Sequence, residues 1–308
     1  MISDIGLFIQ HGVALREAAP VQRGSALPWQ YRSVVEWWPD LVPNEAEARL
    51  LEGFVCRSGG AALEVGFGMG RRLADCRAAG ADLDGLEPSR GLYAACRAQF
   101  EQHGLSGHRL YSQPLHEIDL PRRYRSIYAG RVLGAGATPE ADAVALFRLY
   151  RALEPGGALL FDHPAPWGDR SGWIGRWASP WRPSPWPPPL APCELRSACG
   201  REALRLSAEV YEHTPDAAAL TYTVHARHLR DERLVTRRGF GLRQRFYTAR
   251  GVLELLRRAG FDEPHVACAY MPEAARHVWV AEKVQRWRST SAPPLGPNGF
   301  AGDIRLGA

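Results

Sequence analysis

The chain has 308 residues, of which 45% are hydrophobic and 23% are charged, and its formal net charge is +5 at pH 7. This composition fits one large domain, or one domain with an appendage, and it excludes a disordered polymer and a small disulfide-bonded scaffold. No stretch approaches the ~20 uninterrupted apolar residues that a bilayer crossing needs, so the sequence predicts no membrane span.

The amino-terminal sequence and the cysteines both bear on the cellular compartment. The segment MISDIGLFIQHGVALREAAP lacks the basic stretch, apolar run and small-residue cleavage site of a secretory signal. The cysteines show no C-x-x-C spacing, so reduced and buried thiols are expected. These observations predict a cytoplasmic protein. The six cysteines are Cys56, Cys76, Cys96, Cys193, Cys199 and Cys268.

Arginine supplies almost all of the positive charge, because Lys283 is the only lysine among 38 basic residues. Nucleic-acid-binding proteins usually mix lysine with arginine and cluster the charge. The near absence of lysine instead indicates a codon bias toward G and C. Arginines do concentrate between Arg227 and Arg250, where they fit a solvated strand edge as well as a binding strip. We predict no nucleic-acid partner and no membrane partner.

Residues 1–58 are predicted to form a helical cover. Asn44 and Glu47 have the spacing of a capping box ahead of an apolar helical run. Two aromatic residues of this cover, Trp29 and Tyr31, are candidate substrate contacts, with core packing as the alternative role. The cover leads directly into the region where short apolar runs begin.

From residue 59 to 163, short apolar runs alternate with amphipathic helical stretches. This alternation predicts a parallel, doubly wound sheet, because parallel strands need helical crossovers. The predicted helices cover 71–79, 89–103 and 141–153. The predicted strands are Ala61 to Val65, Leu83 to Glu87, His108 to Tyr111, Ser126 to Ala129 and Ala158 to Asp162.

Residues 164–246 interrupt this pattern and are predicted to form a substrate lid. The lid begins with a Trp- and Pro-rich loop and continues as two or three antiparallel strands, with a turn at Asp231-Glu232. Trp167 is a candidate substrate contact in the loop. Packing of the inserted strands or a subunit contact are the alternatives, and a homodimer through the insertion is a further prediction.

The sheet pattern resumes after the insertion. A helix is predicted over Ala249 to Ala259 with Gly260 as its C-cap, followed by strands at Pro264 to Tyr270 and His277 to Glu282. Residues 247–287 therefore complete the domain begun at 59–163. Residues 288–308 are predicted to form a flexible tail.

The most informative motif is a glycine loop after the first predicted strand. Gly66, Gly68 and Gly70 stand at alternate positions between this strand and a helix, so the backbone can approach a ligand closely. A dinucleotide fingerprint counted from Gly66 needs a third glycine where Arg71 stands, and a P-loop needs Lys and Ser or Thr after the loop. Neither phosphate-binding motif fits.

Two acidic residues end the first two predicted strands. Glu64 would repel a pyrophosphate, but it suits a ligand that carries an ammonium or a sulfonium, and S-adenosylmethionine carries both. Glu87 can accept two hydrogen bonds from the vicinal hydroxyls of an unphosphorylated ribose. The alternative is that both carboxylates only cap helices.

Four landmarks in order resemble the class I S-adenosylmethionine-dependent methyltransferases. They are LEVGFGMGR, then GLEPS, then LEPGGALLF, and then TARGVLELLRRAGF followed by two strands. The resemblance covers residues 44–163 and 247–284. It implies an α/β fold with a doubly wound seven-stranded sheet whose last strand is antiparallel, here with a helical cover and a small antiparallel β insertion. It also implies S-adenosylmethionine as cofactor and S-adenosylhomocysteine as product.

The resemblance further implies which residues bind the cofactor. Glu64 and the three loop glycines would surround the methionine moiety. One feature departs from the family, since Tyr124-Arg125-Ser126-Ile127 stands where an aspartate is common before the fourth strand. The remaining implied contacts are Glu87 with Pro88 at the ribose, Gln113 with Leu115 at the adenine, and the backbone of Ala129 and Gly130.

Catalytic candidates follow from the chemistry of methyl transfer. The reaction is an in-line displacement at a sulfonium carbon, so alignment and exclusion of water matter most and a base is optional. His163, at the end of the fifth predicted strand, is the candidate base, and Asp162 could orient it or hold a substrate amine. The alternative is that both satisfy loop amides. No third ligand has a suitable spacing, so we predict no metal.

The leading hypothesis is methyl transfer to an oxygen, nitrogen or carbon nucleophile of a small natural product. The Trp-rich insertion motivates an apolar or aromatic substrate. One alternative keeps the fold but performs a cyclisation or isomerisation with the cofactor as an electrostatic aid. Another is a non-catalytic partner subunit, which the presence of Glu64 and the glycines disfavours.

Overall fold

The computed structural model describes residues 45–102, 104, 109–130, 133–134, 138–164, 193–197, 199–214, 219–245, 247–271 and 276–284. The predictions that concern Trp29, Tyr31, Asn44 and Trp167 fall outside these residues. So do the predicted tail and nearly all of the Trp- and Pro-rich loop.

The described chain folds into two sheets and a set of flanking helices. The helices are α1 (Glu45–Ser58), α2 (Arg71–Ala78), α3 (Arg90–Gln102), α4 (Pro139–Ala152) and α5 (Ala249–Ala259), with a 3-10 turn at Leu115–Glu117. The strands are β1 (Ala62–Val65), β2 (Leu83–Leu86), β3 (Leu110–Tyr111), β4 (Tyr124–Ala129), β5 (Leu153–Pro164), β6 (Cys193–Arg196), β7 (Glu202–Thr214), β8 (Ala219–Arg230), β9 (Arg233–Arg245), β10 (Asp262–Met271) and β11 (Arg276–Glu282).

The larger sheet has seven strands in the order β10-β11-β5-β4-β1-β2-β3. Neighbouring strands from β3 to β5 run parallel, and β11 is antiparallel to both β5 and β10. The order reverses between β1 and β4, which is where open α/β sheets place their ligand crevice. The predicted doubly wound sheet with an antiparallel last strand is confirmed.

Helices cover both faces of this sheet because successive residues of a strand point to opposite sides. One face packs under α1, α2 and α3, where Leu51, Leu73 and Cys96 are fully or almost fully buried. The other face packs under α4 and α5, where Leu149 and Leu256 are fully buried. We call these the α2 face and the α4 face.

Strand β5 is longer than the sequence indicates. The prediction began it at Ala158, whereas the strand starts at Leu153 and runs through Gly156 and Gly157. A Cβ at Gly157 would lie 2.9 to 3.0 Å from three carbonyl oxygens, so the backbones approach closely here. The glycines therefore mark a tight passage within the strand, where the sequence suggested its beginning.

The unusual tyrosine at the start of β4 has a structural role at the amino edge of the sheet. The hydroxyl of Tyr124 donates to the buried carboxylate of Asp84 at 3.0 Å. Arg122 donates to the same carboxylate at 2.9 Å and to Asp82 at 2.8 Å. This cluster lies at the opposite edge from the glycine loop and ties β4 to β2.

The only lysine of the chain closes the end of α4. The Lys283 ammonium donates to the carbonyl oxygens of Tyr150 at 3.0 Å and Leu153 at 2.8 Å. It also lies 4.7 Å from the centre of the Tyr150 ring. Helix ends leave carbonyl oxygens without intrahelical partners. The ammonium of Lys283, the residue after β11, supplies a donor to two carbonyl oxygens at this helix end.

Helix α5 follows its sequence signals closely. Thr248 accepts from the amide of Gly251, and Gly260 ends the helix in the left-handed conformation with a φ of 102°. The predicted bounds and C-cap are therefore confirmed. Helix α4 begins two residues before its predicted start, because Thr138 caps it and Pro139 occupies its first turn.

The insertion forms a four-stranded antiparallel sheet in the order β6-β7-β8-β9. The prediction of two or three strands missed β6, a short strand beside the Pro-rich segment. The predicted turn is present, and Asp231 and Glu232 both have positive φ values, 49° and 59°, as a tight hairpin requires.

Arginines of the inserted sheet pair with acids on a neighbouring strand and in the β8–β9 turn. Arg230 lies 2.7 Å from Glu202, and Arg201 lies 2.9 Å from Asp231. These are exposed pairs that solvent screens, so they contribute little to stability. They fit the interpretation of this charge as a solvated surface.

Candidate cofactor and active site

The glycine loop leaves β1 in a conformation that favours glycine at each alternate position. Gly66, Gly68 and Gly70 have φ values of 77°, 61° and 75°. Residues that carry a Cβ rarely adopt this left-handed backbone conformation. The amide of Gly66 donates to the carbonyl of Leu86 at 2.7 Å, so the loop starts level with the end of β2.

Close contacts with α3 and β2 fix the shape of this loop. A Cβ at Gly70 would lie 2.3 Å from the Cys96 sulfur of α3. A Cβ at Gly85 in β2 would lie 2.6 Å from the ring of Phe67, the residue between the first two loop glycines. Sequence analysis did not single out Gly85, although a glycine inside a strand often marks a close approach.

Glu87 connects the loop to the end of β2. Its carboxylate accepts from the amide of Gly68 at 2.8 Å and from the amide of Ser89 at 2.8 Å. The side chain is buried, and this burial raises the pKa of Glu87 to about 7. The two amide donors lower the pKa and the nearby Glu64 raises it, but burial has the largest effect. A carboxylate oxygen has two lone pairs, so these bonds are compatible with further acceptance from ribose hydroxyls.

Glu64 is fully buried on the α2 face and does not stand as an isolated anion. One of its oxygens accepts from Nε of Arg72 at 3.0 Å, and the Arg72 Nη2 lies 3.0 Å from the same oxygen. The guanidinium also lies over the ring of Tyr128, 5.9 Å from its centre. Sequence analysis missed Arg72, whose guanidinium pairs with the carboxylate of Glu64.

The predicted adenine contacts lie on the segment after β3. The Gln113 side-chain amide donates to the carbonyl of Asp119 at 3.1 Å and accepts from the Asp119 amide at 3.0 Å. Gln113 therefore bridges the 3-10 turn with two hydrogen bonds. Leu115 packs against the core of the α4 face. Both residues lie beyond the carboxyl end of β3, as predicted, but the Gln113 amide already bonds this turn.

The other predicted backbone contacts lie at the same edge of the sheet. Pro88 is half-buried between Glu87 and Ser89. Ala129 is buried at the end of β4, directly opposite Val65 of β1, and Gly130 follows it. The ends of β1, β2 and β4 thus bring all these positions to one rim.

The two predicted catalytic residues lie on opposite faces of the sheet. Leu160 belongs to the core of the α2 face and Phe161 to that of the α4 face. Alternation along β5 therefore places Asp162 toward the α2 face and His163 toward the α4 face. Asp162 cannot orient the His163 ring directly, which corrects that part of the prediction.

His163 belongs to a buried polar cluster on the α4 face. Its Nε2 accepts from the backbone amide of Tyr247 at 2.9 Å. A neutral imidazole that accepts at Nε2 carries its proton on Nδ1, so the ring as placed is a donor at that atom. The cluster holds the histidine as a link between β5 and the segment that leads into α5.

Tyr247 extends this cluster to α4. Its hydroxyl donates to the carboxylate of Asp142 at 2.6 Å, and Asp142 also accepts from the amide of Gly134 at 3.3 Å. Burial raises the pKa of Asp142, against the effect of its donors. Tyr247 and Asp142 were missed because they lie far apart in the chain and neither belongs to a motif.

The described residues contain neither a cluster of metal-ligating side chains nor a membrane-spanning helix. No group of three or more His, Cys, Asp or Glu side chains is gathered there as a metal site would need. Among those same residues, no helix is both long enough and apolar enough to span a membrane.

No protein-family model matches the chain, and no curated protein matches its sequence significantly. Several solved structures are similar. The sugar N-methyltransferase KedS8 from Streptoalloteichus sp. ATCC 53650 is 17% identical, with a TM-score of 0.63 over 88% of this chain and 99% of that chain. The CcbJ methyltransferase from Streptomyces caelestis is 19% identical, with a TM-score of 0.56 over 82% of this chain and 96% of that chain.

A third structure is CalS10 from Micromonospora echinaspora with bound S-adenosylmethionine, an amino pentose methyltransferase involved in calicheamicin biosynthesis. It is 15% identical, with a TM-score of 0.57 over 87% of this chain and 100% of that chain. These similarities and the strand order agree with each other. The chain has the fold of the class I S-adenosylmethionine-dependent methyltransferases.

Proposed function

We propose that the protein is an enzyme that transfers a methyl group from S-adenosylmethionine to a small-molecule acceptor. The single observation that supports this most is the connection of Glu87 to the glycine loop. A buried carboxylate that accepts from the Gly68 amide stands beside three left-handed glycines at the switch point of the sheet. This arrangement suits an unphosphorylated ribose, and it lacks the features of a pyrophosphate site.

The residues present fit the cofactor. Glu87 and Pro88 would hold the ribose, the three glycines would allow the methionine portion to approach the backbone, and Leu115 would border the adenine. When bound, the cofactor supplies a methyl group on a sulfonium. The contribution of this chain is to bind and align the two reactants and to exclude water between them.

The acceptor is an oxygen, nitrogen or carbon nucleophile of a natural product. An apolar or aromatic acceptor rests on the Trp-rich insertion, with Trp29, Tyr31 and Trp167 as predicted contacts. KedS8 is a sugar N-methyltransferase and CalS10 is an amino pentose methyltransferase, which adds an amino sugar as a second acceptor class. A homodimer through the inserted sheet also stays a prediction.

His163 and Asp162 remain catalytic candidates with separate tasks. Asp162, on the α2 face with Glu64, could hold a substrate amine. His163 could remove a proton only if its bond to the Tyr247 amide opened, because that amide occupies Nε2. A positioning role for His163 therefore fits its contacts better than that of a base.

Calorimetric titration with S-adenosylmethionine and S-adenosylhomocysteine tests the proposal. We expect both to bind, and substitution Glu87→Ala to weaken binding at least tenfold, since a buried carboxylate makes charge-assisted hydrogen bonds. Absence of binding at millimolar ligand would refute the function. Mass spectrometry of products from candidate acceptors then separates methylation, which adds CH2, from a rearrangement, which leaves the mass unchanged.

A further inference from the structure

We propose that Arg72 binds the carboxylate of the amino-acid end of the cofactor, and that Glu64 positions Arg72 for this task. The inference rests on the proposed function and names a contact within the same site. In this inference Arg72 contacts the ligand and Glu64 holds Arg72 in place. The sequence alone suggested instead that Glu64 itself would meet an ammonium.

The position of Arg72 is the first argument. It is the second residue of α2, two positions after Gly70 at the end of the glycine loop. Glu64 and Tyr128 are direct neighbours on β1 and β4, one residue before the ends of both strands. The Arg72 side chain thus extends from α2 back to the rim formed by the carboxyl ends of β1 and β4.

The exposure of the two partners is the second argument. The Glu64 side chain is 0% exposed, whereas the Arg72 side chain is 17% exposed. The guanidinium is therefore the more accessible of the two charged groups, so a ligand at the rim can reach the positive group more readily than the buried carboxylate. A carboxylate gains a charge-assisted hydrogen bond there, whereas an ammonium would meet a like charge.

The third argument is that the guanidinium is held before any ligand arrives. Nε and Nη2 both point at one Glu64 oxygen at 3.0 Å, and the Tyr128 ring lies beneath the group. Arginine loses considerable side-chain freedom when it is fixed. Because Glu64 and Tyr128 impose that loss in the free protein, binding need not incur it again.

A purely structural ion pair makes a different prediction. In that case Arg72 only neutralises a buried carboxylate, and its removal would disturb the loop and weaken every adenosine-containing ligand alike. A direct contact instead weakens only those ligands that carry the carboxylate. The comparison of two ligands therefore separates the two roles.

The experiment measures the dissociation constants of S-adenosylhomocysteine and of its decarboxylated analogue, which keeps the amine. For the unaltered protein we expect the carboxylate to improve binding about 10- to 100-fold, the range for a hydrogen bond to a charged group. For Arg72→Gln we expect this ratio to fall below about threefold. For Glu64→Gln we expect an intermediate ratio, because Arg72 is present but less well held.

Arg71→Gln is the matched control, because Arg71 is the exposed neighbour in the same helical turn and its loss changes the net charge equally. It should keep the full ratio. The double variant Glu64→Gln with Arg72→Gln leaves no buried charge without a counterion, so it serves if Arg72→Gln fails to fold. 5′-Methylthioadenosine, which lacks the amino acid, should bind all folded variants similarly.

The outcomes distinguish this inference from the function on which it rests. If the unaltered protein binds neither ligand, the proposed function fails. If it binds S-adenosylhomocysteine and either Arg72→Gln or the double variant keeps the full ratio, the role of Arg72 is overturned and the function stands. Equal weakening of all three ligands would also overturn the role.

Discussion

Glu87 carries a proton equilibrium in the range where the enzyme would work. Its pKa, about 7 in the folded protein against an ordinary value of 4.5, reflects burial above all. Between these two values the unfolded chain releases the proton and the free folded protein retains it. This group therefore lowers the stability of the free protein as pH rises from about 4.5 to 7.

Ligand binding should show the opposite trend. Ribose hydroxyls that donate to Glu87 favour its ionised form, so affinity should rise with pH and level off above about 7. The change should approach about tenfold per pH unit below that value. 5′-Methylthioadenosine is the suitable probe, because it carries the ribose without a titratable amine. Its dissociation constant would be measured between pH 5.5 and 8.5, a span of roughly 3 units around that pKa.

Glu87→Gln provides the comparison for this pH series, since glutamine keeps the shape of the side chain and removes its titration. The slope should disappear in this variant. An equally steep slope in Glu87→Gln would mean that another group controls binding.

Helix α2 depends on glycines at both ends, but only one end is crowded. Gly70 precedes it with a φ of 75° and would bring a Cβ to within 2.3 Å of the Cys96 sulfur. Gly80 follows it with a φ of 88°, and nothing lies within 4 Å of a Cβ there. The two positions share the backbone strain and differ in the contact.

Gly80→Ala should destabilise the protein by about 1–2 kcal/mol, the cost of a left-handed alanine. Gly70→Ala should cost clearly more and should also weaken S-adenosylhomocysteine, because the loop must move away from α3. Chemical denaturation and titration measure the two effects. Equal losses of stability in both variants, with ligand affinity retained, would show that the contact with Cys96 has no influence.

At the scale of the whole molecule, Tyr247 joins the inserted sheet to the core. It follows β9 and precedes α5, and its contacts reach Asp142 on α4 and His163 on β5. The adjoining Arg245 amide donates to the carbonyl of Gly134 at 2.9 Å, which adds the β4–α4 loop. Tyr247 and Arg245 together thus fix three segments at the place where the insertion returns to the core.

Tyr247→Phe should lower the free energy of unfolding by about 1–3 kcal/mol, because a buried carboxylate loses its hydroxyl donor. Binding of 5′-methylthioadenosine should change little, since Glu87 directly follows β2, away from this cluster. Tyr93→Phe is the control, because it removes a hydroxyl whose bond to Leu110 is long, at 3.5 Å. A loss no greater than in the control would argue against the cluster.

The fold could be predicted from the sequence because its signals are local. Strand–helix alternation, the glycine loop and the cap at Gly260 each lie within a short stretch of chain. The contacts of Arg72 and Tyr247 could not be predicted in this way. Glu64 and Arg72 are close in sequence, but the turn of the loop brings them together, and Asp142 meets Tyr247 only after the insertion has folded. The expectation that Asp162 orients His163 was wrong for a different reason, since adjacent residues of β5 point to opposite faces of the sheet.

The cap that Lys283 forms on α4 also determines how the protein responds to amine-directed chemistry. The chain has no other ε-amine, and this one is engaged with two carbonyl oxygens and an aromatic ring. Burial lowers the pKa of Lys283, which by itself would make the amine more nucleophilic, but its hydrogen bonds and partial burial hinder a reagent. Acylation of Lys283 would therefore report on the separation of the end of β11 from α4. This single natural side chain thus serves as a probe of local unfolding at that contact.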